Sequence, residues 1–262
     1  MGILEEIVKK KKDHVRLKKQ SLSLEKIMQL DPKYFEINNL ESILGEKNIL
    51  ISEMKRKSPS GGILDKDLIP SNQADLYIKS GSDAISVLTE KDYFSGSNQD
   101  LSEVLKISKQ KKIPVLQKDF IIDEYQIYEA KQIGADSILL IIRILSDENY
   151  IKFYNLAESL GLSVIVKIHN EEELDLALKA DINILGINNR NLDTLSTNLE
   201  TFETLSSMVP KGIYKIAESG IRNSEDATRM INSGANGLLV GESIIKSKNI
   251  QEIISDIASK NV

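Results

Sequence analysis

The sequence contains no cysteine and no tryptophan, and it has only two histidines, His14 and His169. Without cysteine the chain forms no disulfides and performs no thiolate chemistry, which fits a reducing, cytoplasmic location. Two histidines argue against a histidine-rich metal site. Because tryptophan is absent, phenylalanine and tyrosine must supply any ring stacking.

The charge balance and the hydropathy pattern argue against two classes of partner. The chain has 34 basic and 39 acidic side chains, and its net charge of −5 favours neither nucleic acid nor a membrane surface. No apolar run approaches the length of a membrane span, and the N-terminus lacks a secretory hydrophobic region. At 262 residues and 41% hydrophobic, the composition is that of a globular protein with one large domain or two small ones.

From residue 49 onward, short apolar segments alternate with amphipathic helical patterns. Strands are predicted at residues 49–54, 84–88, 113–118, 137–142, 162–168, 182–187, 213–217 and 237–240. Such an alternation is typical of parallel strands with helices outside. Eight repeats favour an α/β fold closed into a single (β/α)₈ TIM barrel over an open doubly wound sheet. No GxGxxG follows the first strand, which weakens the dinucleotide-binding alternative.

The first 48 residues are predicted to form an N-terminal helical extension, with the barrel in residues 49–262. One helical stripe near the start contains Ile3, Leu4, Ile7, Val8 and Val15. A lysine run at residues 9–12 falls largely off this stripe. Because the total charge is acidic, we interpret the run as a solvated face rather than a nucleic-acid patch.

The first strand changes character at its carboxyl end. Glu53 and Lys55 alternate there, so both side chains should point to the same face. Opposite charges on a buried strand are costly unless they pair or meet a charged ligand. Residues 58–62 then break the strand into what we predict is a flexible loop rich in hydrogen-bond donors.

Polar residues follow six of the eight predicted strands. They are Glu53 and Lys55; Gln117, Lys118 and Asp119; Lys167 and His169; Asn188, Asn189 and Arg190; Glu218, Ser219 and Gly220; and Gly241, Glu242 and Ser243. Each of these residues, taken alone, is explained by a turn or by a solvated strand end. We interpret His169 as structural. Since chemistry in such barrels lies at the carboxyl ends of the strands, six together indicate one site.

Two of these strand ends place small residues between a strand and a helix, at Ser219-Gly220 and at Gly241-Glu242. Backbone N–H groups and helix N-termini at such positions bind phosphate. Each glycine alone is explained by a turn. The paired placement after strands seven and eight favours a phosphorylated small-molecule substrate.

These motifs together resemble the indole-3-glycerol phosphate synthase family, over nearly the whole chain. The resemblance is carried by the opening Ile3-Leu4-x-x-Ile7-Val8, Glu53-Met-Lys-Arg-Lys-Ser-Pro-Ser60, Leu88-Thr-Glu-Lys-Asp-Tyr-Phe-Ser-Gly-Ser97, Lys118-Asp-Phe-Ile121, Gly186-Ile-Asn-Asn-Arg-Asn-Leu192, Ala217-Glu-Ser-Gly-Ile221 and the Gly241-Glu242 turn. It implies a carboxy-lyase of tryptophan biosynthesis that converts 1-(2-carboxyphenylamino)-1-deoxyribulose 5-phosphate to indole-3-glycerol phosphate, CO₂ and water. It also implies that no metal or organic cofactor takes part, and we expect a monomer.

The same resemblance implies roles for three charged residues. Lys118 would be the general acid that protonates the carbonyl oxygen as the anthranilate ring attacks. Lys55 would hold or protonate substrate oxygens, and Glu53 would transfer protons during dehydration. A lysine acting as an acid needs a pKa brought towards neutral, and we expect burial and neighbouring lysines to lower the pKa of Lys118.

Further residues would orient and bind the substrate. By the resemblance, Asn188 and Glu218 would orient the sugar hydroxyls and the catalytic lysine, with Ser219 nearby. The other implied substrate contacts are Phe94, Phe120 and Leu139, Arg190 and Ser58, and Gly220, Gly241 and Glu242.

One motif departs from the family. After the fifth strand the family usually has Glu-Val-His, whose glutamate is a proposed proton-transfer group, whereas this chain has Lys167-Ile168-His169. The exchange removes a proton acceptor and places a third lysine near Lys55 and Lys118.

Three interpretations of Lys167 stay open. The enzyme keeps its activity by using Glu53 and Glu218, or turnover is lowered, or the lysine serves different chemistry. A desolvated lysine can attack carbonyl groups, which would make the chain an amine-catalysed, aldolase-like enzyme. A phosphate-ligand-binding barrel that has lost catalysis is a further alternative. We rank the impaired or adapted synthase first.

Overall fold

The computed structural model describes residues 2–34, 36–191 and 194–259, and strands alternate with helices along it. The strands are β1 (Ile49–Met54), β2 (Lys57–Ser58), β3 (Gly62–Ile63), β4 (Ala84–Leu88), β5 (Val115–Lys118), β6 (Ser137–Ile141), β7 (Ser163–Ile168), β8 (Ile184–Asn188), β9 (Tyr214–Glu218) and β10 (Gly237–Val240). All except β2 and β3 pair in parallel with their neighbours, and β10 returns to β1. The predicted (β/α)₈ TIM barrel is confirmed.

Helices precede and separate the barrel strands. They are α1 (Ile3–Ser21), α2 (Leu24–Met28), α3 (Leu40–Glu46), α4 (Pro70–Ser80), α5 (Asn98–Ser108), α6 (Glu124–Ile133), α7 (Asp147–Ser159), α8 (Glu171–Ala177), α9 (Glu200–Met208), α10 (Ser224–Asn232), α11 (Glu242–Lys246) and α12 (Ile250–Ala258). Local chemistry sets several of their ends. Asp123 caps α6 by accepting a hydrogen bond from the Tyr125 N–H, and Gly134 ends that helix with a left-handed φ of 102°.

Burial of both faces explains why the barrel strands are apolar throughout. All six residues of β1 are buried. Ile49 and Ile51 belong to the cluster that fills the barrel, whereas Leu50 and Met54 belong to the larger cluster between the barrel and its helices. Strand periodicity therefore divides the core into two layers.

Two of the three helices before β1 lie at opposite ends of the barrel. Leu40 and Leu44 of α3 are part of the cluster inside the barrel, and Leu44 lies against Gly237 at the start of β10. Helix α3 thus packs at the amino ends of the strands. Helix α1 lies at the carboxyl ends, where Ile3 and Ile7 border the main cavity.

The structure differs from the sequence expectations in three places. Residues 58–62, predicted as a flexible loop, include a short antiparallel pairing of β2 with β3. The interpretation of residues 9–12 as a solvated face is wrong for Lys11, which is buried. The predicted ends of the barrel strands shift by at most two residues. Leu192, the last residue of one quoted motif, and residues 260–262 lie outside the described residues.

Within the described part of the chain, no helix combines the length and apolarity needed to cross a membrane.

Candidate active site

A cavity of about 160 Å³ lies at the carboxyl ends of the barrel strands. The catalytic and substrate-binding residues that the family resemblance implies, together with Lys167, all line it: Glu53, Lys55, Ser58, Phe94, Lys118, Phe120, Leu139, Lys167, Asn188, Arg190, Glu218, Ser219, Gly220, Gly241 and Glu242. Of the other polar strand-end residues, Asp119 lines the cavity, whereas Gln117, His169, Asn189 and Ser243 do not. Other lining residues are not predicted from the sequence, among them Ile3, Leu4 and Ile7 of α1, Ile141 and Leu195. The α1 stripe was visible in the sequence, but no pattern says which surface a helix covers.

Three lysines and two glutamates alternate along the cavity floor. The contacts in order are Lys55 Nζ to Glu53 Oε1 at 2.5 Å, Lys118 Nζ to Glu53 Oε2 at 2.8 Å, Lys118 Nζ to Glu218 Oε2 at 3.5 Å, and Lys167 Nζ to Glu218 Oε2 at 2.9 Å. We call these five residues the charged array. Each glutamate bridges two lysines, and the array has one net positive charge. That sign suits an anionic ligand.

Two glycines make room for the carboxylates. A Cβ on Gly186 of β8 would lie 2.6 Å from Glu218 Oε1, so the absent side chain lets Glu218 lie beside β8 and reach Lys167 on β7. A Cβ on Gly241 would lie 2.8 Å from Glu53 Oε1. Close approach, rather than backbone conformation alone, requires glycine at these two positions.

Both glutamates of the array are held ionised. Burial raises the pKa of Glu53, but the nearby Lys118 and Lys55 outweigh burial and bring the pKa well below its ordinary range. Burial also raises the pKa of Glu218, and the cations of Lys118 and Lys167 again reverse the direction. Each carboxylate is therefore a negative charge that stabilises its lysines at neutral pH.

The lysines shift in opposite directions. Burial lowers the pKa of Lys118, but Glu218 and Glu53 outweigh it, so the net shift is upward. The expectation of a lowered pKa at Lys118 is therefore wrong. Lys167 has one close carboxylate, and burial together with the charge of Lys118 lowers its pKa despite the opposing effect of Glu218. Of these two lysines, Lys167 is therefore the one whose pKa moves towards neutral pH.

Removing the Glu53 carboxylate should make protein stability less sensitive to acid. Because the folded-state pKa of Glu53 lies below its ordinary value of 4.5, the carboxylate stabilises the fold fully above that pH. This stabilisation is lost as the pH falls through the folded-state pKa. Urea unfolding between about pH 7 and pH 3 should show the free-energy gap between unchanged protein and Glu53→Gln narrowing below about pH 4.5. A gap that stays constant over this range would contradict the expectation.

One wall of the cavity is apolar. The rings of Phe94 and Phe120 are 6.0 Å apart between centroids and inclined at 37°, so they contact each other directly. Leu139 and Ile141 of β6 extend the wall. This surface can take one face of an aromatic ligand, and a ring inserted between the two phenylalanines would need them to separate.

A hydrogen-bonded chain runs from the surface to Asn188. Arg143 Nε donates to Glu173 Oε1 at 2.9 Å, and Glu173 Oε2 lies 2.9 Å from His169 Nδ1. His169 Nε2 lies 3.0 Å from Asn188 Nδ2. With the His169 proton on Nδ1, the ring donates to Glu173 and accepts from the Asn188 amide. Burial lowers the pKa of His169, which favours this neutral form.

The adjacent asparagine, Asn189, bonds to backbone groups. Asn189 Nδ2 donates to the Ser219 carbonyl at 3.1 Å, and its Oδ1 accepts from the Phe202 N–H at 3.0 Å. Asn189 therefore connects the ends of β8 and β9 with α9, and it lies outside the set of cavity-lining residues.

Small residues and Arg190 line the cavity at the carboxyl ends of β8, β9 and β10. Ser219 and Gly220 have positive φ values of 68° and 84°, and Gly241 directly precedes α11. Arg190 donates to Glu242 Oε2 at 3.2 Å and to the Leu195 carbonyl at 3.1 Å. The guanidinium, a turn and a helix start thus face one region, as an anion site requires.

No group of three or more histidine, aspartate or glutamate side chains suited to a metal ion occurs among the described residues.

Comparisons with known proteins show which family the chain resembles. The family model described as indole-3-glycerol phosphate synthase matches residues 4–257. Proteins of that name from Thermoanaerobacter pseudethanolicus and Clostridium kluyveri are 40% and 42% identical to this chain, with alignments covering 98% of it and 98% and 99% of the relatives. The namesake from Caldanaerobacter subterraneus subsp. tengcongensis is 43% identical over 93% of both chains.

Solved structures with low sequence identity share the fold alone. Thiamine phosphate pyrophosphorylase from Pyrococcus furiosus has a TM-score of 0.62 at 14% identity, covering 85% of this chain and 97% of that one. A structure described as native KDPGal has a TM-score of 0.57 at 16% identity, with coverages of 80% and 91%.

Proposed function

This chain belongs to the indole-3-glycerol phosphate synthase family, and we propose that the charged array performs the proton transfers of the family reaction. The protein is a carbon–carbon lyase of tryptophan biosynthesis. It converts 1-(2-carboxyphenylamino)-1-deoxyribulose 5-phosphate to indole-3-glycerol phosphate with loss of CO₂ and water. The observation that carries the residue roles is the alternating array at the mouth of the barrel.

Ring closure is the first step in which a lysine acts. The ring carbon that bears the carboxylate bonds to the keto carbon, and the carbonyl π electrons move to the oxygen. Lys118 gives that oxygen a proton. The raised pKa of Lys118 keeps it charged at neutral pH, and the developing alkoxide is basic enough to take its proton. Loss of CO₂ then returns the bonding electrons to the ring.

Dehydration of the closed five-membered ring requires an acid that protonates the leaving oxygen and a base that removes a ring proton. The former carbonyl oxygen leaves as water, and a proton leaves the methylene carbon beside nitrogen. We assign the acid to Lys55 and the proton transfer to Glu53, which are 2.5 Å apart and share the β1 end of the cavity. Glu218 holds Lys118 and Lys167, and Asn188 orients the sugar hydroxyls with Ser219 nearby.

Substrate binding follows the distribution of apolar and cationic groups. Phe94, Phe120 and Leu139 contact the aromatic ring along the apolar wall. Arg190, together with the backbone at Gly220 and Gly241, receives the phosphate, and Ser58 lies beside it. Glu242 sets the position of Arg190 through their ion pair.

We also infer a cytoplasmic monomer whose partner is this phosphorylated small molecule, and neither nucleic acid nor a membrane. The net charge of −5 gives polyanions no attraction. Sedimentation at micromolar concentrations would detect a dimer.

Incubation with the deoxyribulose phosphate substrate should produce indole fluorescence well above an uncatalysed blank. The absence of such a signal would contradict the proposed roles. Calorimetry that detects binding of the substrate without turnover would instead identify a ligand-binding barrel. The aldolase-like alternative depends on a neutral Lys167, whereas its ammonium is paired with Glu218 at 2.9 Å. Borohydride trapping of a carbonyl substrate on Lys167 would favour that alternative.

A further inference from the structure

Lys11 is the buried member of the lysine run in α1. It is 7% exposed, whereas Lys9, Lys10 and Lys12 are exposed. Its Nζ lies 2.6 Å from Asp119 Oδ1, and both side chains are 8% exposed. A lysine is rarely buried unless it is paired, so this contact, rather than solvation, explains the position of Lys11.

Asp119 is a junction between α1 and two barrel strands. Its Oδ2 accepts from the Thr89 hydroxyl at 2.6 Å, just after β4, and its Oδ1 accepts from the Phe120 N–H at 2.7 Å. Asp119 directly follows Lys118, the last residue of β5. The carboxylate therefore fixes the backbone between the lysine of the charged array and the phenylalanine of the apolar wall.

The same helix reaches the cavity one turn before Lys11. Ile3, Leu4 and Ile7 line the same cavity as the charged array. Farther along α1, Lys18 and Lys19 pair with Glu129 and Asp123 at 2.7 Å, but these contacts are partly exposed and lie away from the cavity. The buried pair is thus the charged contact of α1 that lies beside the reacting groups.

We propose that Lys11 is a positioning residue for the ring-closure reaction. Through Asp119 it holds Lys118 and Phe120 in their working arrangement, and it fixes the start of α1 over the cavity. This inference rests on the proposed function, because it acts on the lysine assigned there as the general acid. Lys11 touches no reacting atom in this arrangement.

The test compares Lys11→Met with Lys12→Met, a matched loss of one lysine from the exposed part of the same helix. Single-turnover and steady-state assays should show kcat lowered about tenfold or more by Lys11→Met, with a smaller change in KM, because misplaced catalytic groups slow chemistry more than binding. Lys12→Met should stay within about twofold of the unchanged protein, since surface substitutions rarely perturb packing. Lys11→Arg should recover most of the lost kcat.

Loss of folding has to be separated from loss of positioning. Lys11→Met leaves Asp119 buried without its cation and lowers stability, so each variant is assayed at a temperature where unfolding curves show it fully folded. The double variant Lys11→Met with Asp119→Asn removes the leftover charge. It should regain stability without regaining kcat. A kcat for Lys11→Met within about twofold of the unchanged protein, or a double variant that regains both, would overturn the proposal. An inactive unchanged protein would instead count against the proposed function.

Discussion

Replacing Lys118 with methionine should lower kcat by about 10²- to 10⁴-fold, the range that a positioned general acid contributes. Methionine keeps the length and the apolar stem of the side chain but has no proton to give. The carbonyl oxygen would then develop its negative charge without a donor. KM should change less, because the substrate ring and phosphate bind elsewhere in the cavity. Indole fluorescence at saturating substrate measures the loss.

The charged array explains why this variant should still fold. Without Lys118, Glu53 keeps Lys55 at 2.5 Å and Glu218 keeps Lys167 at 2.9 Å, so neither buried carboxylate loses its last cation. Circular dichroism and urea unfolding would check the fold. By contrast, replacing Lys11 with methionine would leave the buried Asp119 carboxylate without its cation.

Lys118→Arg is the matched control, because it keeps the positive charge between the two glutamates but does not release a proton near neutral pH. If Lys118 acts as an acid, both variants should be impaired. If its charge alone stabilises the alkoxide, the arginine variant should retain much more activity than the methionine variant. Turnover of Lys118→Met within about tenfold of the unchanged protein would show that another group protonates the carbonyl oxygen.

The barrel and the membership of the cavity follow from the sequence because they depend on periodicity and topology. Eight apolar strands separated by helices close in one way, and closure brings every carboxyl end to the same rim. Residues as far apart in sequence as Glu53 and Glu218 could therefore be assigned to one cavity before any distance was known. Both glutamates reach Lys118 across that rim.

Tertiary contacts decide what the sequence pattern could not. Lys11 lies four residues from both Ile7 and Val15, so helical spacing places it on the buried face of α1. The sequence pattern does not show that Asp119 lies beneath the helix and pairs with this lysine. The pKa of Lys118 was expected to fall because burial and lysines were visible in the sequence. It rises because two carboxylates lie within 3.5 Å, a fact set by strand register and by the space at Gly186.

Replacing Lys167 with glutamate should raise kcat, by about tenfold or more if the missing proton-transfer group limits the reaction. Lys167 Nζ is 2.9 Å from Glu218 Oε2, so a carboxylate at this position would come close to Glu218. Two carboxylates at such a distance share a proton, which brings one pKa up towards neutrality. The site would gain a group able both to take and to give a proton.

Lys167→Glu should also change which lysine Glu218 contacts. Having lost its closer cation, Glu218 would be drawn towards Lys118, which is now 3.5 Å away. With one proton shared between Glu218 and the new carboxylate, the array would change from one net positive charge to no net charge, so binding of the anionic substrate should weaken and KM should rise. A higher kcat together with a higher KM is therefore the expected signature, measured by steady-state kinetics across pH.

Lys167→Gln is the control, since it removes the cation and supplies no carboxylate. If the carboxylate is what the site lacks, kcat should be clearly higher for the glutamate variant than for the glutamine variant. Equal rates for the two, both below that of the unchanged protein, would mean that Lys167 itself is the working group. In that case the Lys167 amine, whose pKa is lowered by burial and by Lys118 and which lies 2.9 Å from Glu218, would be the group to test as the proton acceptor. Borohydride trapping would then separate a lysine that moves protons from one that forms a covalent adduct, because only the adduct is labelled.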